Sequence, residues 1–142
     1  MLRIDFSAIL TAFENHNNNI THYLDLKTGD IVFIADENYI EDVDNDAMYQ
    51  IKENPDSFIK IELISAHDGF KIMENFTAGI DDKDIKDILG RELYRPKPFK
   101  SFKAVLSRYD SLHQEFSEYK KTQMKEIIKN WLVVNNIDAE LV

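Results

Sequence analysis

The sequence predicts an α+β fold, in which a small antiparallel sheet packs against a C-terminal run of four helices. Two strand-like runs around a glycine turn lie before residue 35, and apolar residues at helical spacing dominate after residue 64. Strands that come first and helices that follow are typical of α+β proteins. The 142 residues suit one domain, so we expect residues 1–142 to fold as a single domain.

The N-terminal half supplies one short helix and the strands. Apolar spacing predicts a helix over residues 5–14, and residues 20–26 and 31–34 form a predicted hairpin. Gly29 supplies the positive φ that a bulged hairpin turn needs. Alternation predicts a third strand over 57–63, whereas the acidic residues 36–56 read as irregular.

The C-terminal half supplies the helices. Ser65 is a predicted N-cap, and Asp81 or Asp82 caps the next helix. After the break at residues 96–98, helices are predicted over about 99–109 and 111–135. Their apolar stripes predict that four aromatic side chains turn into the core: Phe99, Phe102, Phe116 and Trp131.

Composition excludes several classes of function. The net charge is −9, and it is uneven: residues 1–90 carry 7 basic and 19 acidic side chains, and residues 91–142 carry 10 and 7. The acidic half argues against broad non-specific binding of nucleic acid. The chain has no cysteine, which excludes disulfides and fits a reducing cytosol, and it shows neither a signal peptide nor a membrane span. We therefore expect a cytoplasmic protein, and no cofactor motif is present.

Five blocks of sequence resemble a known family. Residues 23–32 (YLDLKTGDIV) are similar to the "YLDLETGEVV" signature of the bacterial uncharacterised protein family 0158. Residues 54–61 (NPDSFIKI), 73–76 (MENF), 99–106 (FKSFKAVL) and 131–137 (WLVVNNI) resemble further blocks of that family in the same order. The resemblance covers nearly the whole chain. It implies a bacterial protein, and it implies no activity because the family has none assigned.

The chain departs from the family pattern at three places. Residues 94–98 (YRPKP) stand where relatives carry glycines, Ser101 replaces an arginine, and Phe116 replaces a tryptophan. If the arginine pair binds a ligand in relatives, Ser101 weakens that inference for this chain.

The basic C-terminal third contains the candidate partner-binding residues. A helical wheel separates its phenylalanines from its cations, as expected of a helix with Phe in the core and Lys in water. Such a face is either simply solvated or a contact for an anion, RNA or an acidic protein. The candidates are Arg91, Arg95, Lys97, Lys100 and Lys103, with Lys121, Lys125 and Lys129 as a second line at i, i+4 and i+8.

A weaker candidate is a cation site in the acidic stretch. Asp42, Asp44, Asp46 and Glu53 match the carboxylate spacing of a calcium loop. Ala47 stands where such a loop needs glycine, and no entering helix is predicted, so a solvated acidic loop is the simpler interpretation.

Three functions remain open from the sequence. The leading hypothesis is a non-enzymatic interaction or regulatory domain that binds a protein partner through its basic C-terminal helices. The second is a small metal-dependent hydrolase or nuclease-like enzyme that uses acidic residues, and the third is an RNA-binding module. No catalytic motif is present, because phosphate-loop, dinucleotide and Gly-x-Ser-x-Gly patterns are all missing from the sequence.

Overall fold

The computed structural model describes residues 1–35 and 45–142. These ranges contain the following elements: β1 (Leu2–Ile4), α1 (Phe6–Glu14), β2 (Ile20–Asp25), β3 (Ile31–Ala35), α2 (Asn45–Glu53), a 3-10 turn (Pro55–Ser57), β4 (Phe58–Lys60), α3 (Ala66–Ala78), α4 (Lys83–Glu92), α5 (Pro98–Leu106), α6 (Asp110–Val134) and β5 (Ala139–Leu141). The predicted α+β class and the run of four C-terminal helices, α3–α6, are confirmed. None of the helices in these ranges combines the length and the apolar composition needed to cross a bilayer.

The described residues divide into two compact units. The first unit contains residues 1–63 and 127–142, and the second contains residues 64–126. The boundary between them along the chain falls within α6. The expectation of one domain over residues 1–142 stays a prediction.

The first unit contains the predicted sheet. β2 is its central strand and pairs antiparallel with both β3 and β4, in the order β3-β2-β4. Tyr23 lies opposite Val32 in the hairpin and opposite Lys60 on the other side. The hairpin and the third strand are thus confirmed, although the third strand covers only residues 58–60.

A second pairing joins the two ends of the chain. β1 and β5 run parallel, with Arg3 opposite Glu140. Neither strand is predicted by the sequence patterns. Each is three residues long, and their pairing depends on a contact between residues more than 130 positions apart, which no local pattern encodes.

Helix α1 contributes buried side chains to the first unit. Asp5 caps it, since its Oδ1 accepts a hydrogen bond of 2.9 Å from the backbone N–H of Ala8. Ile9 and Phe13 of α1 are buried. Trp131 packs edge-on against Phe13 with ring centroids 5.4 Å apart, so the predicted inward orientation of the tryptophan is confirmed.

The expectation of irregular structure over residues 36–56 is wrong in part. Residues 45–53 form α2. Met48 and Ile51 are half-buried and lie three positions apart, so this helix presents an apolar side that the dense acidic residues obscured.

In the second unit, each helix begins at the predicted residue or one residue before it. The hydroxyl of Ser65 accepts a hydrogen bond of 3.0 Å from the N–H of Asp68 and caps α3. Asp82, not Asp81, caps α4. Pro98 occupies the first turn of α5, where its missing N–H costs nothing.

The interior of the second unit is built around an aromatic cluster. Phe102 is fully buried, and its ring centroid lies 5.4 Å from that of Phe116. The ring centroid of Phe76 lies 5.0 Å from that of Phe116 and 5.5 Å from that of Tyr119. Edge-to-face pairs of this kind stabilise a core beyond the area that they bury. The phenylalanine in the place of the family's tryptophan is therefore a core residue here.

Candidate functional site

The hairpin of β2 and β3, whose residues 23–32 resemble the family signature and which we call the signature hairpin, is stabilised by hydrogen bonds within its turn. Asp25 Oδ1 accepts hydrogen bonds from the backbone N–H groups of Lys27, at 2.8 Å, and Thr28, at 3.4 Å. The Thr28 hydroxyl in turn accepts one from the N–H of Asp30 at 3.1 Å. Asp and Thr side chains that bond backbone two residues ahead stabilise tight turns. Asp25 is therefore a turn partner.

Gly29 has two reasons to lack a side chain. Its φ is +83°, a left-handed conformation that residues with a Cβ rarely adopt. A Cβ at this position would also collide with the carbonyl oxygen of Arg3 and lie 3.2 Å from its carbonyl carbon. The motif glycine thus lets the hairpin approach the backbone of β1.

Five of the basic candidates lie on one continuous segment of the second unit. Arg91 is in the last turn of α4, Arg95 and Lys97 are in the connection to α5, and Lys100 and Lys103 are on α5. All five side chains are exposed. We call these five residues the α4–α5 cationic surface.

The structure separates paired from unpaired cations on this surface. Arg95 Nε lies 2.7 Å from Glu92 Oε2, and Arg91 Nε donates to the backbone carbonyl of Asp87 at 3.3 Å. Lys97, Lys100 and Lys103 have no ion-pair partner among residues 1–35 and 45–142. Their charges are therefore available to a ligand.

Two aromatic side chains are exposed beside these cations. Tyr94 is 86% exposed and lies between Arg91 and Arg95 in the sequence. Phe99, which the helical wheel placed in the core, is 39% exposed, and that expectation is wrong. Phe99 lies in the first turn of α5, where the edge of its ring approaches Gly69 and part of the side chain stays exposed.

The lysines of the second line lie on α6. Lys121 and Lys129 are exposed and Lys125 is half-buried. Lys121 and Lys125 belong to the second unit and Lys129 to the first. That this line and the α4–α5 cationic surface form one patch stays a prediction.

A cleft lies between α3 and α4 at one end of the cationic surface. Its volume is about 620 Å³, and its lining comprises Glu74, Thr77, Ala78, Lys86, Asp87, Gly90, Arg91, Leu93 and Tyr94. Of the residues that line this cleft, only Arg91 was predicted from the sequence as a candidate binding residue. Gly90 inside a helical pattern was the one sequence signal that could have revealed the cleft, since glycine is unfavourable there.

The first unit has a larger cleft of about 850 Å³ beside the start of α1. Two of its polar groups have structural roles already: the Asp5 carboxylate caps α1, and the Thr11 hydroxyl donates to the Ser7 carbonyl at 2.8 Å. Gly29, on the same cleft, is explained by its contact with Arg3. The α3–α4 cleft instead shares Arg91 with the α4–α5 cationic surface, so we place the candidate site at this cleft and that surface.

The predicted cation site is only partly described. Asp42 and Asp44 lie outside the described residues, whereas Asp46 and Glu53 belong to α2. A helical rise of 1.5 Å per residue separates the last two Cα atoms by about 10 Å, unlike the wrapped chain of a calcium loop. Within the described ranges, no three Asp, Glu or His side chains are placed to share a metal ion. The metal site stays a prediction.

The Asp82 carboxylate has a structural role, and the four histidines differ in exposure. Asp82 Oδ1 accepts hydrogen bonds from the N–H groups of Asp84, at 3.0 Å, and Ile85, at 3.2 Å, which is ordinary N-capping. His16, His67 and His113 are exposed. His22 of β2 is half-buried, and burial away from water lowers its pKa from the usual 6.5 because the charged form loses solvation.

Comparison with known proteins supports the resemblance noted in the sequence. The uncharacterised protein family UPF0158 matches residues 1–141. A UPF0158 protein of Pseudomonas aeruginosa is 29% identical over 126 residues, which cover 89% of this chain and 80% of that protein. No solved structure matches the chain significantly. Because the family match spans nearly all of the sequence, this chain belongs to the uncharacterised protein family UPF0158.

Proposed function

We propose that this protein is a non-enzymatic interaction domain that binds an acidic protein partner through the α4–α5 cationic surface. The observation that carries the proposal is the combination of three exposed lysines, Lys97, Lys100 and Lys103, with the exposed ring of Tyr94; among residues 1–35 and 45–142 these lysines have no ion-pair partner. Tyrosine and arginine are enriched in the central contacts of protein interfaces, and charges around them steer the encounter with a partner of opposite charge.

The charge distribution supports a protein partner over nucleic acid. Twelve excess acidic charges in residues 1–90 would repel a long polyanion. A short acidic segment of a protein presents charge only at the contact. The exposed ring of Tyr94 beside Arg91 and Arg95 is the observation that favours the alternative, since a base could stack there. RNA is therefore tested alongside the acidic partner.

We place the protein in the bacterial cytosol and treat the whole chain as one domain. The absence of cysteine and the bacterial relative support the first statement. The pairing of β1 with β5, which joins both chain ends in the first unit, supports the second. Coincident melting of Trp131 fluorescence and helical circular dichroism tests the single domain, and two separate transitions would refute it.

A random 16-residue peptide library displayed on phage, selected on the immobilised full chain, tests the interaction function. We expect enriched peptides with a net negative charge, and we expect the double variant Lys97→Glu/Lys100→Glu to bind them about tenfold more weakly. The matched control is Lys27→Glu/Lys60→Glu, which changes the net charge equally at exposed positions of the first unit.

Three results contradict the proposal. The first is enrichment of peptides without acidic character. The second is equal weakening by both double variants, which would indicate a general charge effect. The third is tighter binding of a fluorescein-labelled uridine dodecamer than of the selected peptides in 50 mM salt, with loss of that binding in Lys97→Glu/Lys100→Glu. The third result would assign the surface to RNA.

A further inference from the structure

Gly90 lies inside a helix without a structural reason to be glycine. It is the eighth residue of α4 (Lys83–Glu92), whose C-cap is Leu93, so Gly90 does not terminate the helix. Its φ is not positive, unlike that of Gly29. Glycine is the poorest helix former after proline, so a helix interior normally selects against it.

Packing does not require this glycine either. A Cβ built at Gly90 would meet no atom within 4 Å. The contrast with Gly69 in the same unit is direct, since a Cβ there would lie 3.1 Å from the ring of Phe99. Within the described chain, therefore, nothing occupies the space that a Gly90 side chain would take.

That space belongs to the α3–α4 cleft. The part of its lining that carries no charge consists of Thr77, Ala78, Gly90, Leu93 and Tyr94. The Thr77 hydroxyl already donates to the Met73 carbonyl at 2.8 Å, so it needs no ligand. Small and apolar groups beside an exposed tyrosine suit an apolar side chain of a partner.

The charges around the cleft favour an acidic segment next to that side chain. Glu74 already forms an ion pair with Lys71 at 2.9 Å. Of the other charged residues that line the cleft, Lys86 and Arg91 are positive and Asp87 is negative. Arg91 lines the cleft and also belongs to the α4–α5 cationic surface, so the cleft and that surface share a positive charge.

We propose that the α3–α4 cleft receives an apolar side chain from an acidic segment of the protein partner, and that Gly90 keeps the cleft open for it. This inference rests on the proposed function, because it takes the acidic partner as given. The recognition element is then a short peptide in which an apolar residue is flanked by Asp or Glu. The apolar residue enters the cleft, and the carboxylates contact Lys97 and Lys100.

Filling the cleft at Gly90 tests this inference. A Cβ at Gly90 has room, and both alanine and leucine favour a helix over glycine, so we expect Gly90→Ala and Gly90→Leu to melt at or above the temperature of the unmodified chain. We expect Gly90→Leu to weaken binding of a fluorescein-labelled peptide from the library selection by about tenfold, and Gly90→Ala by less. Ala66→Leu, at an exposed helical position outside the cleft, is the matched control and should leave affinity unchanged.

The outcomes separate this inference from the proposed function. Acidic peptides that lose affinity in Lys97→Glu/Lys100→Glu but not in Gly90→Leu would overturn the cleft inference and leave the proposed function intact. Peptides that lose affinity in Gly90→Leu alone would refute the acidic partner and retain the cleft as a binding site. Selection of no peptide above background overturns both.

Discussion

Substitution of the hairpin glycine, Gly29→Ala, should destabilise the first unit strongly. The positive φ of +83° costs a residue with a Cβ about 1–2 kcal/mol. The collision with the Arg3 carbonyl adds a packing cost of about 1–3 kcal/mol, because Arg3 is held in β1 by its pairing with Glu140. Together these contributions lower the free energy of unfolding by about 4 kcal/mol, and the melting temperature by about 12 °C for a chain of this size.

Fluorescence of Trp131 is the assay for Gly29→Ala. Trp131 is the single tryptophan of the chain and packs on Phe13 within the first unit, so its emission reports unfolding there. Gly90→Ala is the matched control: the same substitution, made where φ is not positive and the Cβ has room, should leave the melting temperature unchanged or raise it. A fall in melting temperature of less than about 3 °C for Gly29→Ala would refute the claim that the signature hairpin requires glycine at position 29.

Three further predictions concern single polar side chains. Asp82→Ala should lower the free energy of unfolding by about 1 kcal/mol in urea titrations, because it removes an N-cap, whereas Asp81→Ala should change it by less than about 0.3 kcal/mol; equal effects would contradict the assignment of the cap. Thr77→Val should cost about 1 kcal/mol, because the buried hydroxyl loses its hydrogen bond to Met73, and a stabilised variant would contradict that role. His22, with its lowered pKa, binds a proton more readily in the unfolded chain, so the stability that its neutral form contributes is complete above pH 6.5 and decreases as pH falls through the lowered pKa. His22→Gln should remove that decrease between pH 7 and pH 5, and an unchanged pH profile would contradict it.

Local chemistry made much of the fold predictable. Several signals extend over only a few residues and can therefore be recognised in the sequence. They are the alternation of residues 20–34, the capping side chains of Ser65 and Asp82, and the proline at position 98. The strands β1 and β5 were not predictable in this way. Each of these strands has three residues, too few to show the alternation of a strand. They also pair with each other across the two ends of the chain, which no local pattern indicates.

The candidate site was only half predictable. The cations of the α4–α5 segment follow from composition, and their exposure follows from the helical wheel. The exposure of Tyr94 does not, because Tyr94 follows the last residue of α4 and belongs to no stripe. The open space at Gly90 depends on how α3 and α4 pack, so the sequence could show only that a glycine interrupts a helix.

A map of backbone amide shifts tests the central claim most directly, namely that the cleft and the cationic surface bind an acidic segment together. The ¹⁵N-labelled full chain is titrated with a selected acidic peptide. We expect the largest shifts over residues 86–100, with the amides of Gly90 and Tyr94 among them. Largest shifts within residues 1–63, or none above noise at saturating peptide, would contradict the claim.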